Sequence, residues 1–224
     1  MNPVRAISLD LDGTLYRVPR LRVAWRLRFE RGLLVALVGA REKMRHEGPF
    51  ADRDALFERE VELVAPSFGL SFDEARRRLQ DLRAALPEAL TRGIKPYPGV
   101  RAALEAAHAR GLKLAVFSDY EPGEKLNFLG LDRLPFAAIL GADSLGALKP
   151  HPRGFEEVAR RLAVDPSEVV HIGDREDLDV EGALAAGMRA LRFCRQAGVE
   201  TKAERVFFRW DIDALTRLLP PSSG

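Results

Sequence analysis

Polar residues stand at the end of one apolar run after another in this chain, and that placement constrains the fold more than any other feature. "AISLD" ends at Asp10, "LKLAVFSD" at Ser118 and Asp119, and "EVVHIGD" at Asp174. Helical patterns lie between them. "GVRAALEAAHARGLK" puts Val100, Ala103, Leu104 and Ala107 on one face and stops at Gly111, and "PRGFEEVARRLAV" carries Phe155, Val158, Ala159 and Leu162 at helical spacing. "FAAIL" and "MRALRFC" read as further strands, "EPGEKLNFLGL" as a helix start, and "EDLDVEGALAAG" as a helix up to Gly187. Strands alternating with helices predict an α/β protein with a Rossmann-like parallel sheet. Right-handed crossovers bring successive strand ends to one edge of such a sheet, and ligands bind there. Asp10, Ser118 and Asp174, with Lys149 in the loop after "FAAIL", are therefore predicted to converge on one crevice.

The stretch from Arg17 to Gly93 has no comparable strand pattern. "SFDEARRRLQDLRAAL" opens with Ser71 three residues before Glu74, a capping-box spacing, and continues with Leu79, Leu82 and Leu86 on one face. Pro87 is expected to end or kink that helix. "FADRDALFEREVELV" supplies Phe57, Val61 and Val64 in the same manner. The pattern predicts an α/β core from residues 1–16 and 96–224, interrupted by an all-helical insertion at 17–95. Only "PPSSG" at the C-terminus reads as a frayed tail.

With 46% apolar and 30% charged residues, a chain of 224 can bury a sizeable core. Its formal net charge of +2 gives no strong field for nucleic acid, which is not expected as a partner. Cys194 is the only cysteine, so no internal disulfide can form. The first apolar run stops at Asp10, without the pattern of a secretory signal, and the expected location is cytoplasmic. "GLLVALVGA" is well short of the roughly 20 residues that span a bilayer, so no membrane segment is expected. It reads either as core of the helical insertion or as the surface of a homodimer.

"DLDGTLY", "VFSD", "LKPHPRGF" and "HIGDREDLDVEGALAAGM", in that order and spacing, resemble the haloacid dehalogenase superfamily of aspartate-nucleophile hydrolases. The similarity extends from Pro3 to about Phe193. "KPYPGVRAALEAAHARGLKLAVFSD" resembles the members with a helical cap inserted after the first motif. The resemblance implies that Asp10 attacks phosphorus and becomes an aspartyl phosphate. It implies Mg2+, held by a carboxylate oxygen of Asp10, the backbone carbonyl of Asp12 and a carboxylate of Asp174. The Asp12 side chain is then the general acid and base. Members that cleave carbon–halogen bonds generally lack an acid at that position, because a halide leaves without a proton and an alkoxide does not.

The same resemblance assigns phosphate binding to Ser118, Asp119 and Lys149, with Thr14 and Asp179 in support. Family members often have a neutral residue where Asp119 stands, and a carboxylate is tolerable there if it points away and caps the following helix. His171, between Val170 and Ile172, reads as a strand residue rather than a metal ligand. His108 is expected to face solvent or a groove.

Taken singly, "DGT" is an ordinary turn, Ser118 a helix cap, Lys149 a surface residue and Asp174 a first-turn carboxylate. Their common placement at strand ends is what favours a site. "RVPRLRVAWRLRFERG", with Trp25 and Phe29 among its arginines, reads as an amphipathic cap helix with a solvated basic side. A second reading turns one or two of Arg17, Arg20 and Arg22 toward an anionic substrate. The expected activity is a Mg2+-dependent phosphatase of a small phosphorylated metabolite. A phosphomutase with the same nucleophile and an idle phosphate-responsive binding protein are the alternatives.

Overall fold

The computed structural model describes residues 3–196 and 198–210, and the "PPSSG" tail lies outside the described residues. The strands are β1 (Ala6–Leu9), β2 (Lys113–Ser118), β3 (Phe136–Gly141), β4 (Val169–Gly173), β5 (Arg189–Phe193) and β6 (Arg205–Phe207). Between β1 and β2 come five helices: α1 (Arg20–Arg26), α2 (Arg31–Met44), α3 (Arg53–Val64), α4 (Phe72–Thr91) and α5 (Val100–Ala109). The later ones are α6 (Gly123–Phe128), α7 (Pro152–Leu162) and α8 (Glu181–Ala185).

All six strands pair in parallel, in the order β3-β2-β1-β4-β5-β6. The winding reverses about β1, which places the crevice of an open α/β sheet at its carboxyl end. Leu9 stands in register with Val116 of β2 and Ile172 of β4, so the residues just beyond these strands meet at one level.

Alternation along β1 explains why the sheet is covered on both faces. Ile7 and Leu9 pack with Val100, Leu104 and Ala107 of α5 in one cluster, whereas Ala6 faces Phe155, Val158 and Leu162 of α7 in another. Each fully buried aliphatic side chain contributes about 1.5 to 3 kcal/mol, so burial on both faces stabilises the sheet that carries the strand ends.

Helices α1 to α4 bury a separate cluster, with Val23, Leu33, Leu37, Phe57, Val61, Leu79 and Leu82 among its members. "GLLVALVGA" belongs to it through Leu33, Leu37 and Ala40, while Val35 and Val38 of the same helix are exposed. The chain leaves and re-enters the sheet side by side: Tyr16 forms a bridge with Pro96, and the Tyr97 N–H donates to the Leu15 carbonyl at 2.8 Å.

Four local features differ from the sequence reading. The arginine-rich segment is not one helix. It breaks at Leu27–Glu30, and Leu21, Trp25 and Phe29 are exposed beside it. Arg22 donates to the carbonyls of Ala89 and Leu90 at the end of α4. The capping box at Ser71 and Glu74 is present, yet α4 continues through Pro87 to Thr91. There the Thr91 hydroxyl bonds the Pro87 carbonyl at 2.7 Å. The turn after β4 is a π turn, Glu176–Val180, that leads into α8. Strand β6 has only three residues, too few for a periodic signal.

Candidate active site

Asp10 follows β1, where the extended backbone aims it off the sheet edge. It is buried. Thr14 donates to its Oδ2 at 2.8 Å, and Lys149 Nζ lies 2.9 Å from its Oδ1. The same ammonium bonds Asp179 Oδ1 at 2.7 Å, so one lysine bridges two carboxylates contributed by different connections. Asp179 also accepts from the Arg175 N–H at 3.0 Å, and His171 Nε2 stands 3.4 Å from it. His171 is wholly buried, with its Nδ1 2.9 Å from Ser8 Oγ and its ring edge-on to Phe155. His108 is exposed.

Carboxylate oxygens of Asp10, Asp174 and Asp179 all lie within 4.8 Å of one another. Two glycines make that approach feasible. Gly13 has φ of 98°, and a Cβ there would stand 2.4 Å from Asp174 Oδ2; one on Gly173 would stand 2.2 Å from Asp179 Cγ. The "DGT" glycine is thus required by both the turn and the carboxylate beside it.

Burial pushes the Asp10 carboxyl well above its usual range, and the charges of Asp179 and Asp174 push the same way against the pull of Lys149. Asp174 is raised to about 6, by burial first and then by the charge of Asp179. Burial opposes the charge on Asp179 too, but Lys149 and His171 outweigh it and hold this carboxyl below its usual range. Lys149 is likewise buried, yet Asp10, Asp179 and Asp119 keep it protonated. Electrostatic frustration is therefore concentrated on Asp10 and Asp174.

Ser118 closes β2. Its hydroxyl is buried and has no hydrogen-bond partner, although buried polar groups are nearly always paired. Asp119 does not cap α6, which corrects the sequence expectation: that helix has Pro122 at its N-cap and no side-chain cap. The carboxylate turns instead to the C-terminal end of α2, where Arg45, just past the helix, reaches its Oδ2 through Nη2 at 2.5 Å, while the Lys149 N–H donates to its Oδ1 at 3.3 Å. Arg45 also donates to the Lys149 carbonyl, and Arg41 donates to the Asp119 carbonyl at 3.1 Å. Arg41 is itself buried against Glu60 at 3.0 Å.

Asp119 thus joins the helices of the insertion to the sheet edge. With the Arg45 side chain only 9% exposed, Asp119→Asn is expected to destabilise the fold by about 2 to 3 kcal/mol in urea titrations. A loss below about 0.5 kcal/mol would mean that the ion pair is solvated after all.

Asp12 lies apart from the three clustered carboxylates. Its Oδ1 accepts from the Tyr16 hydroxyl, and its Oδ2 is paired with Lys125 of α6. Sequence reasoning missed Lys125, Tyr16, Arg41 and Arg45 as site neighbours. In "PGEKLNF" the lysine looks like any solvated helical residue, and only the fold buries it. Trp210, also missed, donates its indole N–H to the Thr14 carbonyl at 2.9 Å and so braces the turn after β1.

A six-stranded parallel sheet with a buried lysine and a cluster of acids at its carboxyl edge is an α/β architecture of the Rossmann-like class. The family model for haloacid dehalogenase-like hydrolases matches residues 4–187, and the chain belongs to that family. A glyceraldehyde 3-phosphate phosphatase from Methanopyrus kandleri is 31% identical over 208 residues, covering 86% of this chain and 84% of that protein. Among solved structures, a β-phosphoglucomutase from Clostridium difficile superposes with a TM-score of 0.68 at 20% identity, covering 96% of each chain. A 2-haloacid dehalogenase from Pseudomonas syringae superposes with a TM-score of 0.65 at 24% identity, covering 96% of this chain and 97% of that one. At such identities these two speak for the fold alone.

Proposed function

We propose that this chain is a Mg2+-dependent phosphatase acting on a small phosphorylated metabolite through an aspartyl phosphate on Asp10. The observation that carries the reading is the arrangement around Asp10. Its carboxylate stands against Lys149 and beside two further acids, at the end of the strand next to the one that Ser118 closes with an unpartnered hydroxyl. An incoming phosphoryl group would supply the acceptors that Ser118 lacks and share the charge of Lys149.

The donor set also fits a hard divalent cation. Asp10 and Asp174 offer carboxylate oxygens, and the Asp12 carbonyl would be the third protein ligand, as in the family pattern. When bound, Mg2+ would offset the repulsion between these carboxylates and an anionic substrate. Asp179, held by Lys149 and the Arg175 N–H, keeps the lysine in place.

In the first half-reaction an Asp10 oxygen bonds to phosphorus, the ester P–O bond breaks, and Asp12, carrying the proton taken from water in the preceding turnover, gives it to the departing oxygen. In the second, a water oxygen bonds to phosphorus, the bond to Asp10 breaks, and the water proton passes to Asp12. The aspartate at position 12 supports phosphoryl transfer over dehalogenation, since an alkoxide needs that proton. Helices of residues 17–95 would serve as the cap, with Arg41 and Arg45 at its seam with the sheet edge.

Phosphate release from a panel of monoesters, headed by glyceraldehyde 3-phosphate, should appear with Mg2+ and vanish with a chelator. The triose heads the panel because of the relative from Methanopyrus kandleri. Isomerisation without net release would favour a mutase, and no reaction with any ester would overturn the assignment.

The acid cluster sets a pH dependence. The Asp174 carboxyl lies above its ordinary value when folded, so the folded chain holds a proton that the unfolded chain loses earlier. This group's contribution to stability is present at low pH and is lost as pH rises through about 6. Mg2+ must displace the same proton. Its apparent affinity should fall by up to about tenfold per pH unit below that point. Calorimetric titration and melting curves should show both trends weakened in Asp174→Asn relative to wild type, the remainder coming from the raised carboxyl of Asp10.

A further inference from the structure

Asp12 has two carboxylate oxygens, and each is taken by a different donor from a different part of the chain. Tyr16, wholly buried, reaches Oδ1 from the end of the turn after β1. Lys125, 5% exposed, reaches Oδ2 from α6, across a separation of 113 residues. Lys125 is held on its other side by the Tyr120 ring, whose centre lies 5.7 Å from Nζ. Tyr120 is in turn covered by the Arg41 guanidinium at 4.1 Å. Burying an ammonium group is costly unless it is paired, and Asp12 is the ion-pair partner of this one.

We propose that Lys125 is a positioning residue which, together with Tyr16, holds the Asp12 side chain in the one orientation from which it takes the proton of the attacking water as a carboxylate and, once protonated, passes it to the leaving oxygen of the next ester. The inference rests on the phosphatase reading of Asp10 and Asp12 above. A carboxylate anchored at one oxygen still swings about its side-chain torsions. Anchored at both, it has one direction.

That direction keeps Asp12 out of the group formed by Asp10, Asp174 and Asp179, only two residues from Asp10 in sequence. Without the clamp, Asp12 is free to turn toward the cation-binding carboxylates, where it would be useless to the leaving group. The β2–α6 connection thereby carries two functions. Ser118 at its start offers an unpartnered hydroxyl to the phosphoryl group of the proposed reaction, and Lys125, in the first turn of the helix, positions Asp12. Small displacements of a proton-transfer group are expensive, up to about 100-fold for a shift near 1 Å.

The test is a double-mutant cycle between Lys125→Met and Asp12→Asn, read by kcat and KM with an alkyl phosphate and Mg2+. Lys125→Met should lower kcat about 30-fold with KM changed less than about twofold. In the Asp12→Asn background it should cost less than about twofold, because Lys125 acts only through that side chain. Lys125→Arg should recover part of the loss, and Tyr16→Phe should give a smaller fall with the same dependence on Asp12. Melting temperatures and Mg2+ affinity, measured by calorimetry without turnover, should stay near wild type in Lys125→Arg and Tyr16→Phe.

An equal loss in both backgrounds would overturn the clamp. A raised KM with unchanged kcat would also overturn it, by making Lys125 a substrate contact. Absence of wild-type turnover on every ester would remove the phosphatase reading and the clamp together, whereas active wild type with additive losses would remove the clamp alone.

Discussion

Asp10→Asn is expected to abolish phosphate release from every monoester, with a loss of at least about 10^4-fold in kcat. An amide oxygen is a poor nucleophile toward phosphorus and a weaker ligand for a hard cation, so both contributions of this side chain disappear together. Stability should move the other way. Burial and the neighbouring charges of Asp174 and Asp179 oppose the Asp10 carboxylate, and a neutral amide relieves that opposition. The variant should therefore melt at or above the wild-type temperature in metal-free buffer while remaining inactive in excess Mg2+. Turnover by Asp10→Asn within an order of magnitude of wild type would remove it as nucleophile. Inactivity accompanied by a large drop in melting temperature would point to a structural role instead.

The second large effect concerns Asp12→Asn, and it separates the two half-reactions. An aryl phosphate has a leaving group stable enough to depart with little protonation, so transfer to Asp10 should survive better than hydrolysis of the resulting aspartyl phosphate. Rapid mixing with an aryl phosphate should give a burst of phenol approaching one equivalent of enzyme, then turnover slowed by about 100-fold or more. An alkyl phosphate should give little burst. Mg2+ affinity should persist, because the Asp12 side chain lies outside the acid cluster. No burst despite intact metal binding, or unchanged steady-state turnover, would take Asp12 out of acid and base catalysis.

These two variants differ because adjacent acids in one motif occupy different electrostatic surroundings. Asp10 meets Lys149, which it shares with Asp179. Asp12 meets Lys125 and the Tyr16 hydroxyl. Tyr16 has its own proton held more firmly than usual, by burial first and by the charge of Asp12 next. The phenol therefore serves as a fixed donor.

The division of labour between sequence and fold can be followed residue by residue. The helical repeat of Val100, Ala103, Leu104 and Ala107 matches the buried face of α5, because amphipathic periodicity is local and survives any choice of neighbour. The ends of β1, β2 and β4 were legible for a related reason: once consecutive strands are parallel, their carboxyl ends share an edge. Asp10, Asp174, Ser118 and Lys149 followed from that rule together with the spacing of the motifs. Of the two outcomes expected at Pro87, an end or a kink, the end does not occur, since the rule about proline rests on local contacts and α4 runs on to Thr91. Packing of Leu79, Leu82 and Ala89 in the helical cluster holds both sides of the proline.

Side-chain partners were another matter. Nothing in "VFSDYE" tells that Asp119 turns to Arg45 rather than to the helix that follows it, because the arginine arrives from the end of α2, 74 residues earlier. Nothing in "PGEKLNF" separates Lys125 from the solvated lysines either. By itself the sequence determined the parallel α/β sheet, the helical character of the stretch before it resumes, and the strand-end residues of the candidate site. These rest on periodicity and chain direction, which are properties of neighbouring residues. Only the tertiary structure decided which acid is paired with which cation, and so which carboxylates remain electrostatically opposed. Pairing depends on the distance between elements remote in the chain, and on how completely their approach excludes the water that would otherwise screen them.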